Sequence, residues 1–269
     1  MPHPPQLGPV PRMSEGLYVY CVIGTGDARN FGPVGIGGRG DPVTTIAYRD
    51  LSAVVSSVPM NKYVVGQETI LAHQRVLETV MTNHTVLPAR FYTVASNAEE
   101  IRSLLRTRHA ELKQMLQQLD NKVELGLKAI WKDMNLVLRE IAGGWPRDKG
   151  LTASGEASPG GNTAEAAQRV RLALDEKKAK DRELLLQPFG RLALDLRLNR
   201  TYGDDMIMNA AFLVDRSRER EFDAMVDQLG VQFSDSIDFK YVGPVPPYSF
   251  VNVVIKDETD VGQSPEEKR

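Results

Sequence analysis

The sequence predicts an α+β fold in two domains, the C-terminal one ferredoxin-like with an open antiparallel sheet and helices on one face. Three observations carry that reading. Short runs rich in β-branched and aromatic residues alternate with segments of helical spacing from Leu17 to Val242. In the second half the order is a strand at Val123, a long helix, a strand at Met206, a helix at Arg218 and a strand at Asp238, the order of a single sheet covered by helices. That last strand then enters Tyr241-Val-Gly-Pro-Val-Pro-Pro-Tyr-Ser-Phe-Val251, where Pro244, Pro246 and Pro247 fix φ and remove three backbone donors. Gly243 to Pro247 is expected as a rigid, largely polyproline corner that sets the angle of Tyr248 and Phe250.

Taken in order, residues 1–13 form a polar, proline-rich tail without a motif, expected to be disordered. Leu17 to Ile23 is apolar almost throughout and reads as a central strand buried on both faces, with Cys21 as an inert core thiol. Gly35, Gly37 and Gly40 match G-x-G-x-x-G. A dinucleotide site needs such glycines to open a helix directly after a strand, whereas here the strand Val43 to Tyr48 follows, so they are read as loop glycines. Ser52 to Val58 makes a third strand.

Gly66 to Asn83 has helical periodicity, with Ile70, Leu77, Val80 and Met81 on one face. His73 and His84 share that face, but no His-x-x-x-His or Glu-x-x-His spacing accompanies them, so both are read as satisfied structural histidines. Thr85 to Val94 is strand-like, and Pro88 restricts it to an edge. Within it Arg90 stands between Leu87 and Phe91. Its guanidinium must snorkel to water or pair with a carboxylate, which makes Arg90, with Phe91 and Tyr92, a candidate for a structural ion pair or a partner contact. Pro246, Pro247, Tyr248 and Phe250 are the second such candidate set.

Ser96-Asn-Ala-Glu99 is a capping box, and one packed helix follows through Ile101, Leu105, Leu112, Leu116 and Leu119. Lys122 to Lys132 buries Val123, Leu125, Leu127 and Ala129 on one face and marks the domain boundary. The domains expected are 14–121 and 122–258, with a flexible Gly/Ser/Pro-rich insert at 143–162 and a tail at 259–269. Thr163 to Gln187 reads as a charged helix with a thin apolar stripe, a partly free arm. Met206 to Asp215 is a buried strand, and the helix from Ser217 carries Phe222, Met225, Val226 and Leu229 and ends at Gly230.

Composition narrows the function. The 269 residues are 42% hydrophobic and 25% charged, with 33 basic against 35 acidic residues and a net charge of −2. No basic block of nucleic-acid type is present, so no nucleic-acid partner is expected. One cysteine excludes an internal disulfide. No apolar stretch approaches the length of a membrane span, and the first residues lack a hydrophobic signal core, so the cytoplasm is the expected compartment. The sequence has no Gly-x-Ser-x-Gly, phosphate-binding loop, Cys-x-x-Cys or zinc helix. Asp204 and Asp205 fit a turn before a strand. No catalytic residue, cofactor or metal is assigned. The alternative is a ferredoxin-like ligand-binding regulatory domain or a small-molecule enzyme, which a cofactor bound to the purified protein would favour.

Five segments together carry a family resemblance. They are Leu17-Tyr-Val-Tyr, Val86-Leu-Pro-Ala-Arg-Phe-Tyr-Thr-Val with Glu100-x-x-x-x-Leu after it, Lys122-Val-Glu-Leu-Gly-Leu-Lys, Asn209-Ala-Ala-Phe-Leu-Val, and Gly243-Pro-Val-Pro-Pro-Tyr-Ser-Phe. In this order, over about Gly16 to Val254, the chain resembles the gas vesicle GvpL/GvpF family. It departs at Tyr92, where the resemblance leads one to expect the glycine of an Arg-Phe-Gly run. The resemblance implies a non-enzymatic accessory protein of gas vesicle assembly. Its implied partners are the GvpA-type shell protein and other gas vesicle accessory proteins, and its implied place is the nascent shell or the gas-facing surface.

Overall fold

The computed structural model describes residues 15–60, 66–143 and 163–251. The expected tails at 1–13 and 259–269 lie outside the described residues, as does nearly all of the expected insert at 143–162. The chain is mixed α and β with two antiparallel sheets, and it divides into two compact units. One contains residues 15–120 together with Pro246–Val251, and the other is Asn121–Val245.

The first unit is built on β1 (Glu15–Ile23), whose burial on both faces follows from its position. It lies between β3 (Leu51–Pro59) on one side and β4 (Val86–Pro88) with β5 (Val94–Ala95) on the other, and β2 (Thr44–Tyr48) pairs with β3 at the edge. A register shift between Val19 and Cys21 inserts Tyr20 as an extra residue. Tyr18, Tyr20 and Cys21 therefore join one core cluster, against Val76, Leu77 and Val80 of α1 (Gln67–Met81). Val19, Val22, Ala53 and Val55 are buried on the opposite face, where α2 (Ala98–Thr107) and α3 (His109–Gln118) pack.

Local chemistry departs from the expectations at four places in this unit. The cap of α2 is Asn97, whose Oδ1 accepts from the N–H groups of Glu99 and Glu100, while Glu100 accepts from Ser96 N–H at 2.7 Å. The reciprocal box is thus shifted by one residue. The single long helix breaks at Arg108, which leaves helical geometry at φ −102° and ψ 17°. Ile70 is 42% exposed and does not join the core stripe of α1, whose inward place at that end is taken by His73. The expected strand from Thr85 to Val94 is two short strands, β4 and β5, separated by a turn.

The second unit is a four-stranded sheet in the order β7-β8-β6-β9. Its elements are β6 (Lys122–Trp131), α4 (Met134–Gly143), α5 (Thr163–Leu186), a 3-10 turn at Gln187–Arg191, β7 (Ala193–Leu198), β8 (Met206–Asp215), α6 (Glu219–Gln232) and β9 (Ile237–Val245). All pairings are antiparallel, so the sheet is the open antiparallel, ferredoxin-like one expected, with β7 as a fourth strand beside the three read from the sequence. Alternation along β6 puts Val123, Leu125, Leu127, Ala129 and Trp131 into one cluster with residues of α4, α5 and α6. At its centre Phe189 lies 5.0 Å from Phe212 and 4.5 Å from Phe222 between ring centroids. Each such burial contributes roughly 1.5–3 kcal/mol.

Neither α4 nor β7 is expected from the sequence. α5 is a packed helix and no free arm: Leu174 and Leu185 are buried in the cluster, and Trp131 Nε1 donates to Asp181 at 3.0 Å. Gly230 lies inside α6, which runs on to Gln232.

The proline segment differs most. β9 continues through Pro244 to Val245, which an edge strand with a register shift opposite it tolerates, since no ladder donor is needed there. The bend begins at Pro246. Tyr248 N–H donates to Pro246 O at 2.7 Å, and the N–H groups of Phe250 and Val251 donate to Pro247 O at 3.1 Å. The segment is therefore a tight turn that uses proline's fixed φ, and an extended polyproline corner does not form. Pro246 and Pro247 are buried, and Tyr248 packs on the core cluster of the first unit. The expected C-terminal domain ending at 258 therefore gives up Pro246–Val251, because these residues find their apolar contacts on the sheet of β1.

Candidate functional site

Residues 90–93 form a turn that bulges from the edge of β1. Thr93 N–H donates to Arg90 O at 3.1 Å, and Thr93 Oγ1 donates to the same oxygen at 2.6 Å. Such a turn needs positive φ at its third residue, and Tyr92 supplies it at 70°. A glycine would adopt that conformation without strain, which is the physical meaning of the departure noted at this position. The turn is pinned from inside, because Tyr92 N–H donates to the Tyr18 hydroxyl at 3.1 Å.

The same hydroxyl lies 3.0 Å from Nδ1 of His73. A tyrosine hydroxyl donates one hydrogen and can accept two, so the contact with Tyr18 satisfies Nδ1 in either tautomer of the neutral imidazole. His73 is only 3% exposed. Burial lowers its pKa to about 4, so the ring is neutral near pH 7. Its Nε2 has no hydrogen-bond partner among the described residues, so the satisfied structural histidine expected at this position is satisfied on one side only.

His73 also lines an open cleft of about 820 Å³. α1 contributes Ile70 and His73, the turn contributes Arg90 and Phe91, and the C-terminal turn contributes Tyr248 and Phe250. Phe91 meets His73 edge-on, with centroids 5.5 Å apart, and Tyr18 at 6.5 Å. The two candidate sets that the sequence keeps apart, at Arg90–Tyr92 and Pro246–Phe250, thus meet at one cleft. Tyr92 is 43% exposed and is not among the lining residues; Pro246 and Pro247 are buried and do not line the cleft, but their carbonyls accept from the N–H groups of Tyr248, Phe250 and Val251.

Arg90 is exposed, and its guanidinium forms no ion pair among the described residues. The structural ion pair expected of it is not found there, since no carboxylate among the described residues lines the cleft. His73 and Ile70 are named in the sequence reading as helix-face residues and not as site residues. The signal for them was present, since a histidine on an apolar stripe demands a partner for each ring nitrogen, but which nitrogen lacks one depends on Tyr18.

Elsewhere the titratable groups have local explanations. The thiol of Cys21 is fully buried and its pKa is pushed up by desolvation. Asp50, in the turn after β2, accepts from Lys113 at 2.5 Å and pairs with His109 at 2.6 Å, which lowers its pKa to about 2 and fastens the hairpin to α3. Among the described residues no cluster of three or more His, Cys, Asp or Glu side chains could hold a metal.

The fold and cleft define a class of protein: two antiparallel sheets with covering helices, and an open trough lined by both polar and apolar side chains. No helix among the described residues is long and apolar enough to cross a membrane. The model of the family described as "Gas vesicle synthesis protein GvpL/GvpF" matches residues 16–252. The chain is 31% identical over 225 residues to gas vesicle protein F of Streptomyces sp. (strain CB03234), covering 81% of this chain and 93% of that protein. It is 26% identical over 254 residues to gas vesicle protein F of Haloferax mediterranei, covering 93% and 100%. Streptomyces gas vesicle protein L is 26% identical over 272 residues, covering 89% of this chain and 94% of that one. The crystal structure of GvpF from Anabaena sp. PCC7120 superposes with a TM-score of 0.74 at 23% identity, covering 89% of this chain and 99% of that chain, and shares the fold. The chain belongs to the GvpL/GvpF family, and its role is related to gas vesicles.

Proposed function

We propose that this protein is a non-enzymatic accessory factor that binds the gas vesicle shell subunit, a GvpA-type protein, and supports vesicle assembly at the nascent shell, alongside other gas vesicle accessory proteins. One observation carries the reading. The cleft exposes apolar and aromatic wall from three separate segments, Ile70, Phe91 and Phe250 among them, on a chain whose near-balanced charge gives no electrostatic steering. Exposed apolar surface of this kind suits a hydrophobic partner. The expected place of action is the gas-facing or growing surface of the shell.

The test is co-purification of the full chain with shell subunit across a salt series. An apolar contact persists as ionic strength rises, because screening weakens only charged contacts. Complete dissociation by about 0.5 M salt, where the screening length is only a few ångströms, contradicts the apolar reading.

A further inference from the structure

We infer that β7 is a self-association edge: a second copy of this chain adds its own β7 antiparallel across a two-fold axis at Leu196, joining the two four-stranded sheets into one. This goes beyond the shell-binding reading and does not use the cleft. β7 ends the sheet order, and among the described residues it pairs with β8 alone. Asn199 N–H donates to Asn209 O at 2.7 Å, and the register places Arg197 opposite Ala211 and Asp195 opposite Leu213. Asp195, Arg197 and Asn199 therefore turn their backbone groups toward β8, while Leu196 and Leu198 turn theirs outward. Leu196 N–H accordingly bonds to a local side chain, Asp195 Oδ1 at 2.8 Å. Outward backbone groups of this kind are a template for another strand.

The side chains select a second copy over other strands. Leu196 and Leu198 lie opposite Phe212 and Ala210, members of the buried cluster, so they stand on the covered face of the sheet, yet they are 36% and 51% exposed, and Leu194 is 58% exposed. On the other face the side chains of Asp195 and Arg197 are 46% and 59% exposed and pair within the strand at 3.2 Å. The run Leu194-Asp-Leu-Arg-Leu198 is palindromic in its chemistry. With the axis at Leu196, that residue meets its own copy as a hydrogen-bonded pair, and Leu194 comes opposite Leu198 of the second copy. Asp195 then faces Arg197 of the second copy, once on each side of the axis, at the closer positions where cross-strand charges act most strongly. An axis at Asp195 or at Arg197, or a parallel pairing in register, sets a charge against its own copy instead. Charges usually blunt an edge; in this order they admit the chain's own strand. Six residues make a short edge, below the area of a permanent interface, so the dimer is reversible.

The test is sedimentation equilibrium of the full chain over a concentration series, beside thermal melts, for wild type, Asp195→Arg, and the exchange that combines Asp195→Arg with Arg197→Asp. Wild type is expected to pass from monomer to dimer as concentration rises. Asp195→Arg sets arginine opposite arginine on both sides of the axis and is expected to weaken the dimer about tenfold or more, while the exchange, which restores opposite charges, is expected to recover it. Leu196→Cys is expected to form a disulfide-linked dimer on mild oxidation, because the axis brings its two Cα atoms to about 5.5 Å. Leu198→Cys, off the axis, and wild type, whose Cys21 is buried, are expected to stay unlinked. A wild type that is monomeric at every concentration overturns the inference, as does a dimer indifferent to Asp195→Arg at an unchanged melting temperature. Equal cross-linking of Leu196→Cys and Leu198→Cys overturns the axis at Leu196. Loss of shell-subunit co-purification in Asp195→Arg, with wild type monomeric, makes the edge a shell contact and overturns self-association.

Discussion

The Tyr18 hydroxyl stands 3.0 Å from Nδ1 of His73 and accepts the Tyr92 N–H at 3.1 Å, so one buried oxygen joins the central strand, the first helix and the turn that holds Arg90. The cleft wall is therefore fixed from the core side. The walls from α1 and from residues 90–93 cannot shift independently without breaking a buried hydrogen bond.

The imidazole gives the first prediction. Its folded pKa is about 4 against the ordinary 6.5, so the unfolded chain binds the proton more readily. The associated stability is fully present above about pH 6.5 and is lost as pH falls toward 4. At 1.36 kcal/mol per unit this amounts to roughly 3 kcal/mol. Denaturant unfolding of wild type and His73→Gln over pH 7 to 4 measures it. The stability difference between the two should change across that window in the wild type's disfavour; a constant difference contradicts the buried neutral state.

The turn gives the second. Tyr92 holds φ 70°, a region that is strained for most side chains and worst for β-branched ones. Tyr92→Val should cost about 1–2 kcal/mol, while Tyr92→Gly should cost nothing or stabilise slightly. Equal stability of the Val variant and wild type would show that the turn readily takes another conformation.

Arg90 gives the third. Arg90 forms no ion pair among the described residues, so Arg90→Lys should leave the melting temperature unchanged. A shift of several degrees would reveal a partner within the chain.

The C-terminal turn gives the fourth. Pro246 and Pro247 are buried and set the turn that seats Tyr248 on the first unit's core. Replacing both with alanine should destabilise by about 1 kcal/mol or more, through unfolded-chain entropy and lost packing. Tyr248→Ala should also lower the melting temperature. Loss of shell binding by Tyr248→Ala at an unchanged melting temperature would make Tyr248 a surface contact.

How far the sequence was legible depended on where each signal lay. The alternation of Val123, Leu125, Leu127 and Ala129 reads directly as β6, and Met206–Asp215 matches β8 to the residue, because one-sided burial leaves a period of two. β7 was illegible for the opposite reason: Leu194 and Leu198 are over half exposed, at 58% and 51%, so its apolar residues mark no buried face. The cap of α2 was read one residue early because Ser96 and Asn97 are both good caps. Within the cleft, Arg90, Phe91, Tyr248 and Phe250 stood out for their types and their prolines. Their meeting did not, since nothing local says that the chain returns after Val245 to the sheet of β1.

The most direct test of the cleft as the shell contact uses Ile70, which is 42% exposed on its rim and can take a charge without burying it. The measurement is co-purification of wild type and Ile70→Asp with the shell subunit at raised salt, beside thermal melts of both. The wild type should retain the subunit, and Ile70→Asp should lose at least about tenfold of it at an unchanged melting temperature, because a carboxylate would have to be desolvated against the partner's apolar surface. Full retention of the subunit by a folded Ile70→Asp protein would place shell binding elsewhere on the molecule.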